Sequence, residues 1–186
     1  MTLIDVSAQP ASPWKNGGGM TRNLAISPPG ADFETFDWRV SIAEVVASGE
    51  FSPFPGVDRS ILLLDGAGMI LELNEQSVPL ITPFDPFSFS GDDVVRYRLV
   101  NGATRDFNVM TRRGRAQADV SVWRKESQIE INADAVFYCA SGTYRIGTHQ
   151  VPAGWALRFD RRTEIHLAPQ SPDAVLIAVL LQLETS

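Results

Sequence analysis

Apolar residues in this chain recur with the period of a pleated strand, and helical periodicity is scarce. Short β-branched and aromatic runs are separated by clusters of Gly, Pro, Asn and Asp. The pattern predicts strands over Thr21–Ser27, Trp38–Val45, Arg59–Asp65, Gly68–Leu73, Val78–Ile81, Val94–Val100, Asp106–Thr111, Val120–Arg124, Ala135–Ala140, Thr143–Ile146, Ala156–Phe159, Glu164–Leu167 and Ala174–Leu181. Most gaps are about 2–6 residues, the length of hairpins and tight corners. Many short strands without a long helix lead to an all-β sandwich or barrel.

The strands also repeat. Ser60-Ile-Leu-Leu-Leu-Asp-Gly-Ala-Gly-Met-Ile-Leu runs strand, glycine turn, strand, and Ala135-Val-Phe-Tyr-Cys-Ala-Ser-Gly-Thr-Tyr-Arg-Ile does the same. Pro79–Pro83 and Pro152–Gly154 follow the two copies, each before another strand. Two copies of one β unit suit 186 residues, with a divide in the polar stretch Arg113–Ala118. Halves of 1–113 and 114–186 result. The plainer alternative is that any all-β chain resembles itself.

Composition narrows the partners. With 44% apolar and 20% charged residues the chain has enough apolar surface for a core, which excludes disorder. The net charge of -6 argues against duplex DNA and anionic membranes as main partners. Cys139 is alone, so it forms no intramolecular disulfide, and Val136, Phe137 and Tyr138 mark it as a packed thiol. Met1 to Pro13 lacks the basic start and apolar centre of a signal peptide. The apolar run Ala174–Leu181 is far short of the ~20 residues that span a bilayer. A cytoplasmic location is expected.

Metal chemistry lacks ligands. The two histidines, His149 and His166, lie far apart in sequence, and no HxH or HExxH spacing occurs. No metal site and no cofactor is expected. His149 reads as a surface turn residue and His166 as part of a strand. A Gly-x-Ser-x-Gly nucleophile elbow is also missing.

Four stretches of the first half carry chemistry. Pro13-Trp14-Lys15-Asn16-Gly17-Gly18-Gly19-Met20-Thr21 sets three glycines in succession. Their N–H groups suit an anion-binding nest, with Lys15 and Asn16 beside them, although the spacing is not that of a phosphate-binding P-loop. The alternative is a flexible loop or bulge. On Asp37-Trp38-Arg39-Val40-Ser41-Ile42-Ala43-Glu44, alternation puts Arg39, Ser41 and Ala43 on one face. Facing inward, Arg39 and Ser41 need a partner such as a carboxylate; facing outward, Arg39 is merely solvated. Gly49-Glu-Phe51-Ser52-Pro-Phe54-Pro-Gly56-Val57-Asp58-Arg59 is a rigid corner with two aromatics that wall a pocket or pack a core. Arg59 opens an apolar strand where a barrel mouth would lie, and Asp58 offers it a purely structural ion pair. Asp106, Asn108 and Met110 share a face, placed to orient the arginines or to bind polar groups of a ligand.

Taken in order, Pro13-Trp14-Lys15-Asn16-Gly17-Gly18-Gly19-x-Thr21, Trp38-Arg39-x-Ser41-x-Ala43, Gly49-x-Phe51-Ser52-x-Phe54-Pro55-Gly56-x-Asp58-Arg59 and Asp106-Phe107-Asn108-x-Met110 resemble the HutD/Ves family. The resemblance spans the chain, with its specific motifs within 13–113 and only a generic cupin-like pattern beyond. It implies an RmlC-like jelly roll with two cupin β-barrels in one chain, a bicupin. It also implies an accessory or regulatory role in bacterial histidine utilisation. Lys15, Asn16, Arg39, Ser41, Ser52, Arg59 and Asn108 become a shared ligand pocket, with Gly17, Gly18, Thr21 and Phe51 completing it. The usual cupin metal ligands, several His and a Glu, are missing around Phe54–Asp65, which weakens a dioxygenase or metallo-isomerase reading.

Charge matching then points to a ligand. Lys15, Arg39 and Arg59 bring positive charge to an acidic chain and suit a small carboxylate. Urocanate, N-formylglutamate and formate are such acids from histidine breakdown. The expectation is a binding protein rather than an enzyme. The rival is a metal-free cupin isomerase, epimerase or hydrolase, with Asp106, Asp58 or Glu44 as its acid or base. A third reading is a protein-interaction module. A homodimer paired through sheet edges is open to such a fold.

Overall fold

Which side chains meet in a β protein follows from strand register. The computed structural model describes residues 1–132 and 134–184, and every regular element among them is a β-strand. In chain order these are β1 (Thr2–Asp5), β2 (Ala11–Pro13), β3 (Gly19–Ser27), β4 (Trp38–Val45), β5 (Gly49–Glu50), β6 (Val57–Gly66), β7 (Met69–Leu73), β8 (Gln76–Leu80), β9 (Phe87–Ser90) and β10 (Arg96–Leu99). They continue as β11 (Thr104–Arg112), β12 (Ala116–Trp123), β13 (Ser127–Ile131), β14 (Asp134–Ser141), β15 (Thr143–Ile146), β16 (His149–Pro152), β17 (Trp155–Asp160), β18 (Thr163–Pro169) and β19 (Val175–Leu183). Each predicted segment coincides with a strand. β1, β2, β5, β9, β13 and β16 are strands that the sequence pattern does not predict. His149 is therefore not a turn residue: it opens β16 and pairs with Ile146.

The chain divides into two compact units. One is Pro10–Gly114; the other joins Met1–Gln9 to Arg115–Ser186. Residues 1–9 thus do not belong with the first half. β1 pairs antiparallel with β17, running from Thr2 opposite Arg158 to Asp5 opposite Trp155.

Both units follow one strand order. In the Pro10–Gly114 unit, β4-β11-β6-β9 are successive neighbours in one sheet and β5-β10-β7-β8 in another. In the other unit the same pattern reads β12-β19-β14-β17 and β13-β18-β15-β16. β2 and β3 extend the first unit's sheet beyond β4, and β1 extends the second's beyond β17. The repeat includes an irregularity. Register shifts between Arg105 and Asp106 where β11 meets β6, and between Cys139 and Ser141 where β14 meets β19. A bulge at the same place in both units shifts the alternation by one residue just before each glycine turn, so buried Leu63 is followed two residues on by exposed Asp65.

Alternation then builds the interiors. Ile61, Leu63, Met69, Leu71, Phe89 and Tyr97 form a buried cluster in the Pro10–Gly114 unit. Phe137, Cys139, Tyr144, Leu157, Phe159 and Leu176 form one in the other. Burial of the Cys139 thiol pushes its pKa up to about 11, so it stays protonated at neutral pH. No helix among the described residues is long and apolar enough to cross a membrane.

Candidate functional site

Three neighbouring strands converge two arginines. Met110 on β11 is the cross-strand partner of both Arg39 on β4 and Arg59 on β6. Cross-strand partners share a face, so the row Arg39–Met110–Arg59 lies on one side of the sheet. Ile26 extends it beyond Arg39 and Phe89 beyond Arg59. The next row on that face, two residues along β4, β11, β6 and β9 and three along β3 across a register shift, is Asn23, Ser41, Asn108, Ile61 and Phe87. The third is Thr21, Ala43, Asp106 and Leu63. Ile61, Leu63 and Ala43 belong to the core, so this face points inward at β4, β11 and β6, while at β3 it opens to solvent at Asn23. Arg39 therefore does not lie on a solvated outer face; like Arg59 it is only 6% exposed.

The polar contacts form a chain across these rows. Arg39 Nε donates to Asn23 Oδ1 at 2.7 Å, and Arg39 Nη1 approaches Met110 Sδ at 3.8 Å. Arg59 Nη2 donates to Asn108 Oδ1 at 3.1 Å, and Asn108 Nδ2 donates in turn to Asp106 Oδ1. Aromatic faces supply the rest of the arginine environment. Phe33 lies 4.9 Å from the Arg39 guanidinium. Phe51 and Phe89 each lie 4.9 Å from that of Arg59, and Phe54 lies 5.7 Å away. Phe33 and Phe54 also meet each other at 5.7 Å, so together they roof both guanidinium groups. A groove of about 330 Å³ lined by Phe33, Pro53, Phe54, Val57 and Arg112 runs along this pair.

Electrostatics in the cluster are unbalanced. Burial pulls the Arg39 and Arg59 pKa values down to about 10, and Asp106 partly offsets the effect at Arg59 while Arg39 adds to it. Burial pushes Asp106 up to about 7, against the opposing pull of Arg59 and the Asn108 hydrogen bond. Of the two buried cations only Arg59 is coupled to a carboxyl, and burial raises that carboxyl to about 7. A buried charge without full compensation costs several kcal/mol. Three buried polar atoms here lack a hydrogen-bond partner among the described residues: Arg59 Nε, Asp106 Oδ2 and the Tyr97 hydroxyl. Tyr97 stands on β10 in the facing sheet, stacks on Phe51 at 4.6 Å, and its pKa is raised by burial and then by the Asp106 charge.

Other residues named from the sequence stand apart. Lys15, Asn16, Gly17 and Ser52 are exposed. The glycine triplet closes the β2–β3 hairpin, and two of its N–H groups are already engaged. Gly17 N–H donates to Trp14 O at 3.0 Å and Gly18 N–H to Asn16 Oδ1 at 2.9 Å. Gly19 is there for space, because a Cβ would lie 2.4 Å from Glu44 O and 3.1 Å from the Trp14 ring. Thr21 Oγ1 accepts from Trp14 Nε1 at 2.8 Å. Asp58 is not the partner of Arg59. Alternation turns it outward to Arg113 Nη1 at 2.6 Å, and Arg113 also pairs with Asp92.

The structure adds Asn23, Phe33, Phe89 and Tyr97 to the site. Asn23 was within reach of sequence reasoning, since it alternates with Thr21 on a predicted strand. Tyr97 alternates with Arg96 and Arg98. Phe33 sits in a loop with no periodicity to mark it. Among the described residues, no group of three or more His, Cys, Asp or Glu is placed to hold a metal ion.

The family model HutD matches residues 6–177. Protein Ves of Citrobacter koseri is 37% identical over 148 residues, 79% of this chain and 76% of that protein. The structure of HutD from Pseudomonas fluorescens has a TM-score of 0.88 at 28% identity, covering 99% of each chain. A cupin 2 conserved barrel domain protein from Leptotrichia buccalis has a TM-score of 0.63 at 8% identity, covering 97% of this chain and 96% of its own, and shares the fold alone.

Proposed function

This chain belongs to the HutD family, and we propose from that premise that it binds a small carboxylate at Arg39 and Arg59 in an accessory or regulatory role in histidine utilisation. The observation that carries the reading is the charge imbalance: two buried guanidinium groups from separate strands beside a single raised carboxyl. A carboxylate there supplies the missing negative charge and accepts the guanidinium N–H groups. Formate, urocanate and N-formylglutamate are the candidate ligands. The HutD structure from Pseudomonas fluorescens is of a formate condition, which fits the smallest of them. Each unit is read as one cupin-type jelly roll, two in the chain. The repeated strand order and the likeness to a cupin 2 barrel domain protein support this. A cytoplasmic protein that forms homodimers through sheet edges, without nucleic-acid or membrane partners, completes the proposal, and light scattering tests the dimer.

Calorimetry with the three acids tests the ligand. Arg59→Ala and Arg39→Ala are each expected to weaken binding by ~1.5–3 kcal/mol, the loss of a charged hydrogen bond. No heat with any of the three, for a folded protein, rejects this ligand class. A second reading draws on Asp106. A buried carboxyl pushed to about 7 beside a bound acid suits a general acid or base of a metal-free cupin enzyme. Mass spectrometry of the same acids after incubation separates the two readings, since a binding protein returns each acid unchanged.

A further inference from the structure

The anion reading uses the arginines and leaves a second part of the cluster without a task. Asp106 is fully buried and Tyr97 is 3% exposed, yet Asp106 Oδ2 and the Tyr97 hydroxyl have no hydrogen-bond partner among the described residues. The other Asp106 oxygen is engaged by Asn108 Nδ2. Asp106 Oδ2 is thus an acceptor held in place, and the tyrosine hydroxyl both donates and accepts. Buried groups of this kind are normally paired, and each one left alone is destabilising. Trp14, Phe51 and Leu99 pack on the core cluster that holds the Tyr97 ring, so the surroundings are otherwise apolar.

We propose that Asp106 and Tyr97 form a second subsite, which recognises a hydroxyl or N–H group carried by the same small acid whose carboxylate the arginines bind. The ligand class narrows to compact bifunctional acids: a carboxylate at one end and a hydrogen-bond donor a few bonds away. The two subsites are neighbours in one side-chain network. One side-chain amide, that of Asn108, links Arg59 Nη2 to Asp106 Oδ1. A bare one-carbon acid fills the arginine end only. This inference rests on the anion reading and deepens it.

The test uses isosteric acids at pH 8, above the value of about 7 to which burial pushes Asp106. Butyrate and 3-hydroxypropionate differ by a methyl against a hydroxyl, and propionate and glycolate repeat the comparison one carbon shorter. Calorimetry on the full chain is expected to show the hydroxy acid of one pair bound at least about tenfold more tightly, because a site with a buried acceptor discriminates strongly against an analogue lacking the donor. Asp106→Asn is expected to bring the pair within about threefold, since the acceptor aimed at the ligand becomes an amide. Tyr97→Phe removes one hydroxyl only, keeps the ring in its core, and is expected to shrink the preference in the same direction. Equal affinity for both members of each pair in the unaltered protein overturns the donor subsite and leaves the anion site standing. A preference that survives both substitutions also overturns it, because the donor is then met elsewhere. Failure of all four acids, and of formate, urocanate and N-formylglutamate, to bind overturns the anion reading itself.

Discussion

The two units follow one strand order and are filled differently. Counted from the bulge that both possess, the row Arg59–Met110–Arg39 of the Pro10–Gly114 unit corresponds to Ala135–Leu180–Asp119 of the other. Asn108 corresponds to Ala178 and Asp106 to Leu176 by the same count. Phe89 beside Arg59 corresponds to Phe159 beside Ala135. One unit thus gives most of these positions to charged and amide side chains; the other gives most of them to a buried apolar cluster. The strand order accommodates either filling. A packed apolar interior adds stability, whereas buried cations reduce it unless something compensates them. The polar unit gives up stability where binding is proposed.

The largest effect separates the units by stability. Phe137→Ala, at a fully buried position of the apolar cluster, is expected to lose about 3–5 kcal/mol in chemical denaturation. The folded fraction should keep its affinity for small acids. A loss under about 1 kcal/mol would break the comparison by showing that this interior is not what holds its unit together.

Next comes conversion of the polar interior towards the apolar one. The pair Arg39→Met with Arg59→Met is expected to abolish binding of small acids by calorimetry. Stability should stay level or rise by ~1–4 kcal/mol, as when buried ions give way to well-packed apolar groups. A clear loss of stability would mean that the arginines serve the fold.

The pH response is a smaller effect. Asp106 carries a pKa raised from 3.8 to about 7, so between those values the folded chain keeps a proton that the unfolded chain releases. Its contribution to stability therefore falls as pH rises through that window and levels off above it. Asp106→Asn removes this slope, so the variant should gain on the unaltered protein between pH 4 and pH 7. Melting curves of both proteins across that range check the sign, and a constant difference would contradict it. Smallest of all, Lys15→Ala at an exposed hairpin tip is expected to change affinity by less than about threefold.

What the sequence conceals has a common physical cause. The unpredicted strands β1, β2, β5, β9, β13 and β16 all lie at sheet edges. An edge strand has one neighbour, carries prolines and polar residues, and needs no apolar alternation. β2 ends on Pro13, β16 ends on Pro152, and β5 is Gly49–Glu50 alone. Inner strands such as β6 and β14 announce themselves because one face must be apolar. Arg39 was ambiguous for the same reason: its strand has Trp38, Val40 and Ile42 on one face, so the polar face reads as the outer one, yet both are buried. Asp106, Asn108 and Met110 were legible as a shared face, and the structure aligns that face with Arg39 and Arg59. Phe33 was not legible, because it reaches Arg39 from a loop.

That loop and the corner opposite are tied to the end of one strand. Arg112 Nε donates to Phe36 O at 3.0 Å and Arg112 Nη2 to Glu34 O at 2.9 Å, securing the segment that carries Phe33. Its neighbour Arg113 donates its main-chain N–H to Gly56 O at 2.9 Å and pairs with Asp58 and Asp92 around the corner that carries Phe54. The two rings over the guanidinium groups are thereby held from adjacent arginines at the end of β11. Both halves of the roof share one anchorage, so a change at that strand end is expected to disturb both rings together.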